Sequence, residues 1–380
     1  MDPPRVCTEL PKGERHTADR PGAPSRVPPD NASGGEARPM INLTRIVRTA
    51  LPGLAALLIG AGGAAAQECC PKALVDAANK EGKLVLYTAL LLDSEQIVMK
   101  EFNKKFPGVK VDIVRAPGAR LFTRIETEAA AGKLGADVVD LTDLGLAKRI
   151  ENVFADYAPP NADQWQKETM ISPKLWPRTV HVYALAYNVA LLNNPPKSWK
   201  DMTNPVYKGK MGLVVAGSGG TTWTKAMFQR QVLGQDYWKA VAAVEPRLYQ
   251  SNGPLATSVV SGEVQVAMLL VNATLPLKQD GAPIDVVYPT EGLPTTPGAA
   301  GITKTATNVN AAKLFLNWFL SLEGQNAMVG KLGFVSLLNG AEVPPGAPKD
   351  VKLWIPNKNE YEQLRDKWIA EWNTVYNYRQ

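Results

Sequence analysis

EGKLVLYTALLLDSEQIVMKEFNKKFPGVKVDIV, residues 81–114, decides the fold. Leu84-Val85-Leu86-Tyr87 is a short apolar run of the kind a buried strand needs. Asp93-Ser94 then offers a helix N-cap, and Ile97, Val98, Met99, Phe102 and Phe106 recur at helical spacing. Pro107-Gly108 ends that helix, and Val109 to Val114 alternates as a second strand. Further on, Leu121, Ile125 and Ala129 share one face of a helix over about 121–131, and Asp137-Val138-Val139-Asp140-Leu141 reads as a third strand. A strand–helix–strand–helix–strand unit with right-handed crossovers makes a parallel sheet.

The same alternation continues. After a Pro-, Trp- and amide-rich passage (Pro159 to Pro177), strands are expected at Val180–Tyr187, Met211–Val215, Val264–Val271 and Ile284–Tyr288, with a helix at Thr221–Leu233. These form a second small sheet. Pro289 to Gly298 (PTEGLPTTPG) reads as a linker. Helices follow at about Val309–Leu320 and Leu322–Lys331. Leu364, Trp368, Ile369 and Trp372 sit at helical spacing in Glu360–Tyr376 and are expected to dock a last helix. The class is α/β.

Residues 40–66 read as a secretory signal: Arg45 and Arg48 form a positive n-region, Leu51 to Ile59 an apolar core, and Ala64-Ala65-Ala66 a cleavage site before Gln67. The apolar run is too short to span a bilayer, which takes ~20 residues. Residues 1–39 carry no apolar periodicity and read as a disordered extension or a mis-called start, with Met40 the true start. The expected location is the periplasm.

Of the 42 Lys+Arg and 36 Asp+Glu, 8 and 6 lie in residues 1–66, which leaves 34 and 30 and a mild net charge of +4. That balance does not argue for nucleic acid. Beyond residue 66 the chain has one histidine, His181, and two cysteines, Cys69 and Cys70. No metal-ligand spacing is present, no catalytic residue is assigned, and no cofactor is implied. His181 lies in an alternating strand and reads as a satisfied strand histidine. Cys69-Cys70 reads as a surface thiol pair, or an occasional vicinal disulfide, without a catalytic role. Glu68 before Cys69 does not suit a lipid anchor.

Several segments together carry a resemblance. Glu81 to Thr88 (EGKLVLYT), Phe106 to Val111 (FPGVKV), Glu126 to Val139 (ETEAAAGKLGADVV), Tyr183 to Asn188 (YALAYN), Pro196 to Met202 with Tyr207 to Lys210, and Asn317 to Gln325 (NWFLSLEGQ) follow one another in the order and spacing of the family 1 extracellular solute-binding proteins. The chain is similar to the branch containing the ferric-iron-binding proteins, over about 72–345. The resemblance implies a periplasmic-binding-protein-like fold: two α/β lobes, a hinge and a ligand cleft between them. The first lobe would comprise 67–180 with 299–345, the second 181–298 with 346–380. It also implies a monomer that delivers its ligand to an inner-membrane ABC permease. The iron-binding members of that branch carry an adjacent tyrosine pair after a second-lobe strand. Here the matching stretch is Val271-Asn272-Ala273-Thr274-Leu275, without a tyrosine, which argues against ferric iron.

Open α/β sheets bind ligands beyond the carboxyl ends of their strands, where helix N-termini favour anions. The candidate residues are Thr88, Ala89 and Leu90 after the first strand, Thr142 and Asp143 after the third, Ser218, Gly219, Gly220, Thr221 and Thr222 in a Gly-rich strand–helix turn, Asn252 and Gly253 before a short helix, and Asn272. Arg115 and Arg120 flank Pro117-Gly118, and one of them, with Arg120 the candidate, could clamp a carboxylate or phosphate. Leu90 and Leu91 suggest a ligand that is partly apolar. The leading expectation is capture of a small organic anion: a carboxylate, phosphonate or phosphate ester. The alternatives are a transport protein for ferric iron or another metal, a sensory partner that hands ligand to a membrane receptor, and a periplasmic enzyme on the same fold.

Overall fold

A computed structural model describes residues 69–165 and 172–379. The signal segment, its cleavage site and the upstream extension lie outside the described residues. The first half builds one sheet. Helix α1 (Lys72–Glu81) leads into β1 (Lys83–Thr88), α2 (Leu92–Lys105), β2 (Lys110–Arg115), α3 (Gly118–Ala130), β3 (Val138–Leu141) and α4 (Leu144–Arg149). Strands β2 and β3 flank β1, both parallel to it. Helix α2 starts earlier than Asp93-Ser94 suggests, with Leu91 at its N-cap, so both polar residues lie inside its first turn.

The chain then crosses to a second sheet through β4 (Val180–Asn188), followed by β5 (Met211–Val214), α5 (Gly220–Val232), α6 (Tyr237–Ala242), β6 (Arg247–Tyr249), α7 (Asn252–Val260), β7 (Val266–Leu270), α8 (Val271–Gln279) and β8 (Ile284–Val287). Strands β6 and β7 run parallel to β5, while β4 lies antiparallel to β7 and β8.

The expected linker Pro289–Gly298 is strand from Leu293 onward: β9 (Leu293–Pro297) runs through Gly298 into β10 (Ala299–Ile302), and every residue of both strands is buried. Strand β9 pairs antiparallel with β4, and β10 crosses back to pair antiparallel with β3. The prolines mislead because they are loop formers by composition, yet their fixed φ suits extended backbone. Only the two residues of β11 (Leu353–Trp354) pair with the other edge of β9, so few ladder donors are needed there. The two crossings lie side by side, with the Gly298 N–H donating to the Thr179 carbonyl at 2.6 Å. A Cβ at Gly298 would stand 2.9 Å from that carbonyl oxygen, which is why glycine occupies the crossing.

Helices α9 (Val309–Leu320) and α10 (Leu322–Leu332) follow, and α9 buries Phe315, Trp318 and Phe319 against Phe102 of α2. The last stretch is two helices, α11 (Lys358–Gln363) and α12 (Arg365–Val375), broken at Leu364. They dock as the aromatic spacing predicts. Trp372 is buried, and Trp368 packs on Trp223 and Trp238 beside the second sheet. Cys69 is half-buried and Cys70 buried in the core around α9, so this is not a fully exposed thiol pair. The Cys69 carbonyl is held by the Asn317 amide at 2.9 Å.

A buried ion cluster sets the first sheet's carboxyl edge. Arg178 forms a two-pronged pair with Glu95, both contacts at 2.9 Å, and its Nε donates to Asp140 at 2.7 Å. The Thr88 hydroxyl donates to Glu95 at 3.0 Å and accepts from the Leu90 N–H at 3.0 Å. Removing one partner of such a cluster strands a charge in low dielectric, typically at a cost of about 3–5 kcal/mol.

Candidate functional site

Six parallel strands end at one cavity of about 480 Å³. Each of β1, β2, β3, β5, β6 and β7 gives way to the N-terminal turn of the next lining helix: α2, α3, α4, α5, α7 and α8 respectively. Five of these helices begin without a side-chain cap; the exception is α4, capped by Asp143. Their first-turn N–H groups lack intrahelical acceptors, and each helix end carries a partial positive charge of ~0.5 e. The wall is therefore rich in donors before any side chain is counted.

Side chains extend the pattern. The Asn252 Oδ1 accepts from the buried Tyr183 hydroxyl at 3.0 Å, which leaves its NH2 group to donate. The Asn272 Oδ1 lies 3.3 Å from His181 Nδ1. Burial foremost, with the charge of Arg178 adding to it and the Asn272 bond opposing it, holds the His181 pKa down at about 4. The ring is neutral near pH 7, Nδ1–H is the donor, and Asn272 also presents NH2.

The charged side chains on the wall are Arg115, Arg365 and Asp143. Asp143 is paired with Arg365 at 2.6 Å and accepts from the Leu146 N–H at 3.3 Å, so the only lining carboxylate is already neutralised. Arg115 anchors its Nε on the Leu90 carbonyl at 3.3 Å, leaving the rest of its guanidinium at the rim. The wall carries no tyrosine, and among the described residues no cluster of three or more His, Cys, Asp or Glu is placed to hold a metal ion.

The cavity brings together Ala89, Leu90, Thr142, Asp143, Ser218, Gly219, Gly220, Thr221, Thr222, Asn252, Gly253 and Asn272. Two candidates lie elsewhere. Thr88 is buried behind the wall, its hydroxyl taken by Glu95. Arg120 is exposed on α3 and does not line the cavity, whereas Arg115, at the end of β2, does. The strand ends at the cavity mouth, while the helix carries residue 120 away from it. The Thr222 hydroxyl is spent inside its own loop, on the Ala216 and Gly219 carbonyls and the Gly219 N–H. Thr274, a polar residue of the tyrosine-free stretch, returns its hydroxyl to the Leu270 carbonyl.

His181 is not the satisfied strand histidine its alternation suggests: it lines the cavity and its Nε2 has no partner. Ser251, which opens the turn read at 251–254, also lines the cavity, as do Gln250 and Arg365, which the sequence does not single out. Gln250 directly precedes that turn. Arg365 lies 222 residues from its partner, beyond the reach of any local signal.

Two contacts tie the halves together over the cavity. Gly220 abuts the loop after β3: a Cβ there would lie 2.4 Å from the Thr142 carbonyl oxygen and 2.7 Å from Asp143 Cα. The Asp143–Arg365 pair joins the same loop to α12.

These features define a two-sheet α/β protein with a candidate ligand cavity where the strands of both sheets end. The chain belongs to the bacterial extracellular solute-binding protein family, whose model matches residues 98–355. It is 26% identical to an uncharacterized protein of Haemophilus influenzae, over 79% of this chain and 93% of that one. It is 25% identical to a probable ABC transporter periplasmic-binding protein, y4fP, of Sinorhizobium fredii, over 70% and 79%. Among solved structures it resembles the periplasmic binding protein AfuA of Actinobacillus pleuropneumoniae, with exogenous fructose-6-phosphate bound: 25% identity, TM-score 0.64, 79% of this chain and 100% of that one. It shares its fold with iron-bound HitA of Pseudomonas aeruginosa at 20% identity, TM-score 0.62, over 77% and 99%. The family is one of solute-binding proteins, and AfuA is a periplasmic binding protein.

Proposed function

We propose that this chain is the periplasmic solute-binding component of an ABC importer, exported by the signal at 40–66, and that it captures a small organic anion, with a phosphate ester favoured. The carrying observation is the convergence of six helix N-termini, five of them uncapped, on a wall whose one carboxylate is already paired. A phosphate group takes several N–H donors at once, and helix N-termini suit it. Fructose-6-phosphate in the neighbour AfuA supports the same class. A wall without phenolates is ill suited to Fe(III), and an excess of positive charge is ill suited to a polyamine. Leu90, Leu91 and Pro117 give the ligand's carbon skeleton an apolar surface.

In this reading Thr142, Asp143, Ser218, Gly219, Gly220, Thr221, Asn252, Gly253 and Asn272 contact the ligand, while Thr88 and Thr222 shape the loops that do. The protein acts as a monomer. The lobes, 67–180 with 299–345 and 181–298 with 346–380, close about the crossings near 179 and 298, because the ligand's contacts to both favour the closed state. The permease then receives the closed form. Titrating fructose 6-phosphate and fructose in parallel tests the ligand class. The phosphate ester is expected to bind at least 100-fold more tightly; equal binding would overturn the anion assignment.

A further inference from the structure

Lys225 is 1% exposed in the interior of α5. It follows Thr221 and Thr222 by four and three residues, so it stands on their helix face, one turn behind the cavity wall. Its ammonium donates to the carbonyl of Val214, itself a lining residue, at 3.0 Å. It also rests 5.1 Å from the centre of the Tyr183 ring, whose hydroxyl fixes Asn252. Among the described residues no carboxylate is paired with it. The titratable groups on the elements packed around α5 are His181, Tyr183 and Tyr187 of β4 and Tyr237 and Lys239 of α6, and, on its C-terminal half, Glu371 of α12, paired with Arg230, and Glu360 of α11, which accepts from Gln231. Tyr361 and the Asp143–Arg365 pair stand at its N-terminal end. None offsets the burial of Lys225, which alone lowers its pKa to about 7.

We propose that Lys225 is the buried counter-charge of the ligand site: it takes up a proton when an anion enters the cavity, and so positions positive charge where the ligand's negative group settles. This rests on the anion reading of the site. A lysine with one carbonyl acceptor and no anion is costly to charge; an anion one layer away supplies the missing partner. Lys225 then discriminates against neutral and cationic solutes without touching them, and links capture to pH.

The test is calorimetric titration of wild type and Lys225→Met with fructose 6-phosphate, inorganic phosphate and citrate, from pH 6.5 to 8.5, in buffers of different ionisation heat. Near pH 7.5 the wild type is expected to take up about half a proton more than the variant on binding. Its affinity should fall more steeply with rising pH, and the variant should bind at least tenfold more weakly at pH 6.5. Equal proton counts and equal affinities would overturn the proposal while leaving the anion site intact. A wild type that binds none of the three anions would overturn both. Side-chain NMR of Lys225 in the wild type, free and loaded, gives a readout that does not depend on the variant folding. Its pKa should rise by at least one unit on loading, and an unchanged value contradicts the proposal.

Discussion

Burial of His181 makes stability depend on acid. Its folded pKa of about 4 lies below the value of 6.5 it has in the open chain. Between those values the unfolded chain binds the proton and the folded one does not, so stability falls as pH drops from 6.5 towards 4. The full shift corresponds to about 3 kcal/mol. Melting wild type and His181→Gln across pH 4–7 should show a steeper acid loss in the wild type; parallel profiles would contradict this. The strand under His181 was legible from alternation, its missing Nε2 partner was not. Arg178 and Lys225 escaped for a related reason. Arg178 finds Glu95 at a separation of 83 residues, and Lys225 sits in a helix with threonines before it and Ala226-Met227-Phe228 after it, where no polar stripe or apolar stripe marks its burial. Periodicity reports which face is buried, and it is silent on what meets a polar group there.

At the scale of elements, the strand–helix junctions were the readable part. A strand that ends in Gly, Ser, Thr or Asn and opens a helix announces a donor-rich turn, and residues 217–222 and 251–254 do this locally. Seven of the candidate residues, Ser218 to Thr222 with Asn252 and Gly253, lie in these two turns, and all seven line the cavity. The crossing strand β9 was hidden by its prolines, and the break between α11 and α12 by an uninterrupted aromatic stripe. Gly220 has a role no propensity reveals: its missing side chain lets the loop after β3 lie against α5. Gly220→Ala should therefore leave the melting temperature of the unliganded protein within about 4 °C, a change of about 1 kcal/mol in a chain this size. It should weaken ligand binding tenfold or more, because the new methyl would meet the Thr142 backbone carbonyl wherever the loop after β3 lies against α5. Unchanged affinity in calorimetry would contradict the reading of Gly220 as a closure contact.

Across the whole molecule, two sheets share one arrangement in which parallel strands point their carboxyl ends at the same space. Each sheet brings three strand ends and three helix N-termini, so neither half alone builds the cavity. The chain crosses between them near residues 179 and 298, where the backbones touch, and the C-terminal helices pack on the second half while Arg365 reaches the first. Among the lining residues, positive potential is built from backbone dipoles and from Arg115 and Arg365 around a single paired carboxylate. The claim that this cavity selects an anion is tested most directly by thermal melts of ligand-stripped protein, residues 67–380. The panel is phosphate esters, phosphonates and carboxylates, beside fructose, spermidine and Fe(III). An anion at 100 times its Kd should add ~2.7 kcal/mol, a rise of about 5–11 °C. A rise with one anion class is the predicted result, and a rise with spermidine, fructose or Fe(III) alone would contradict the account.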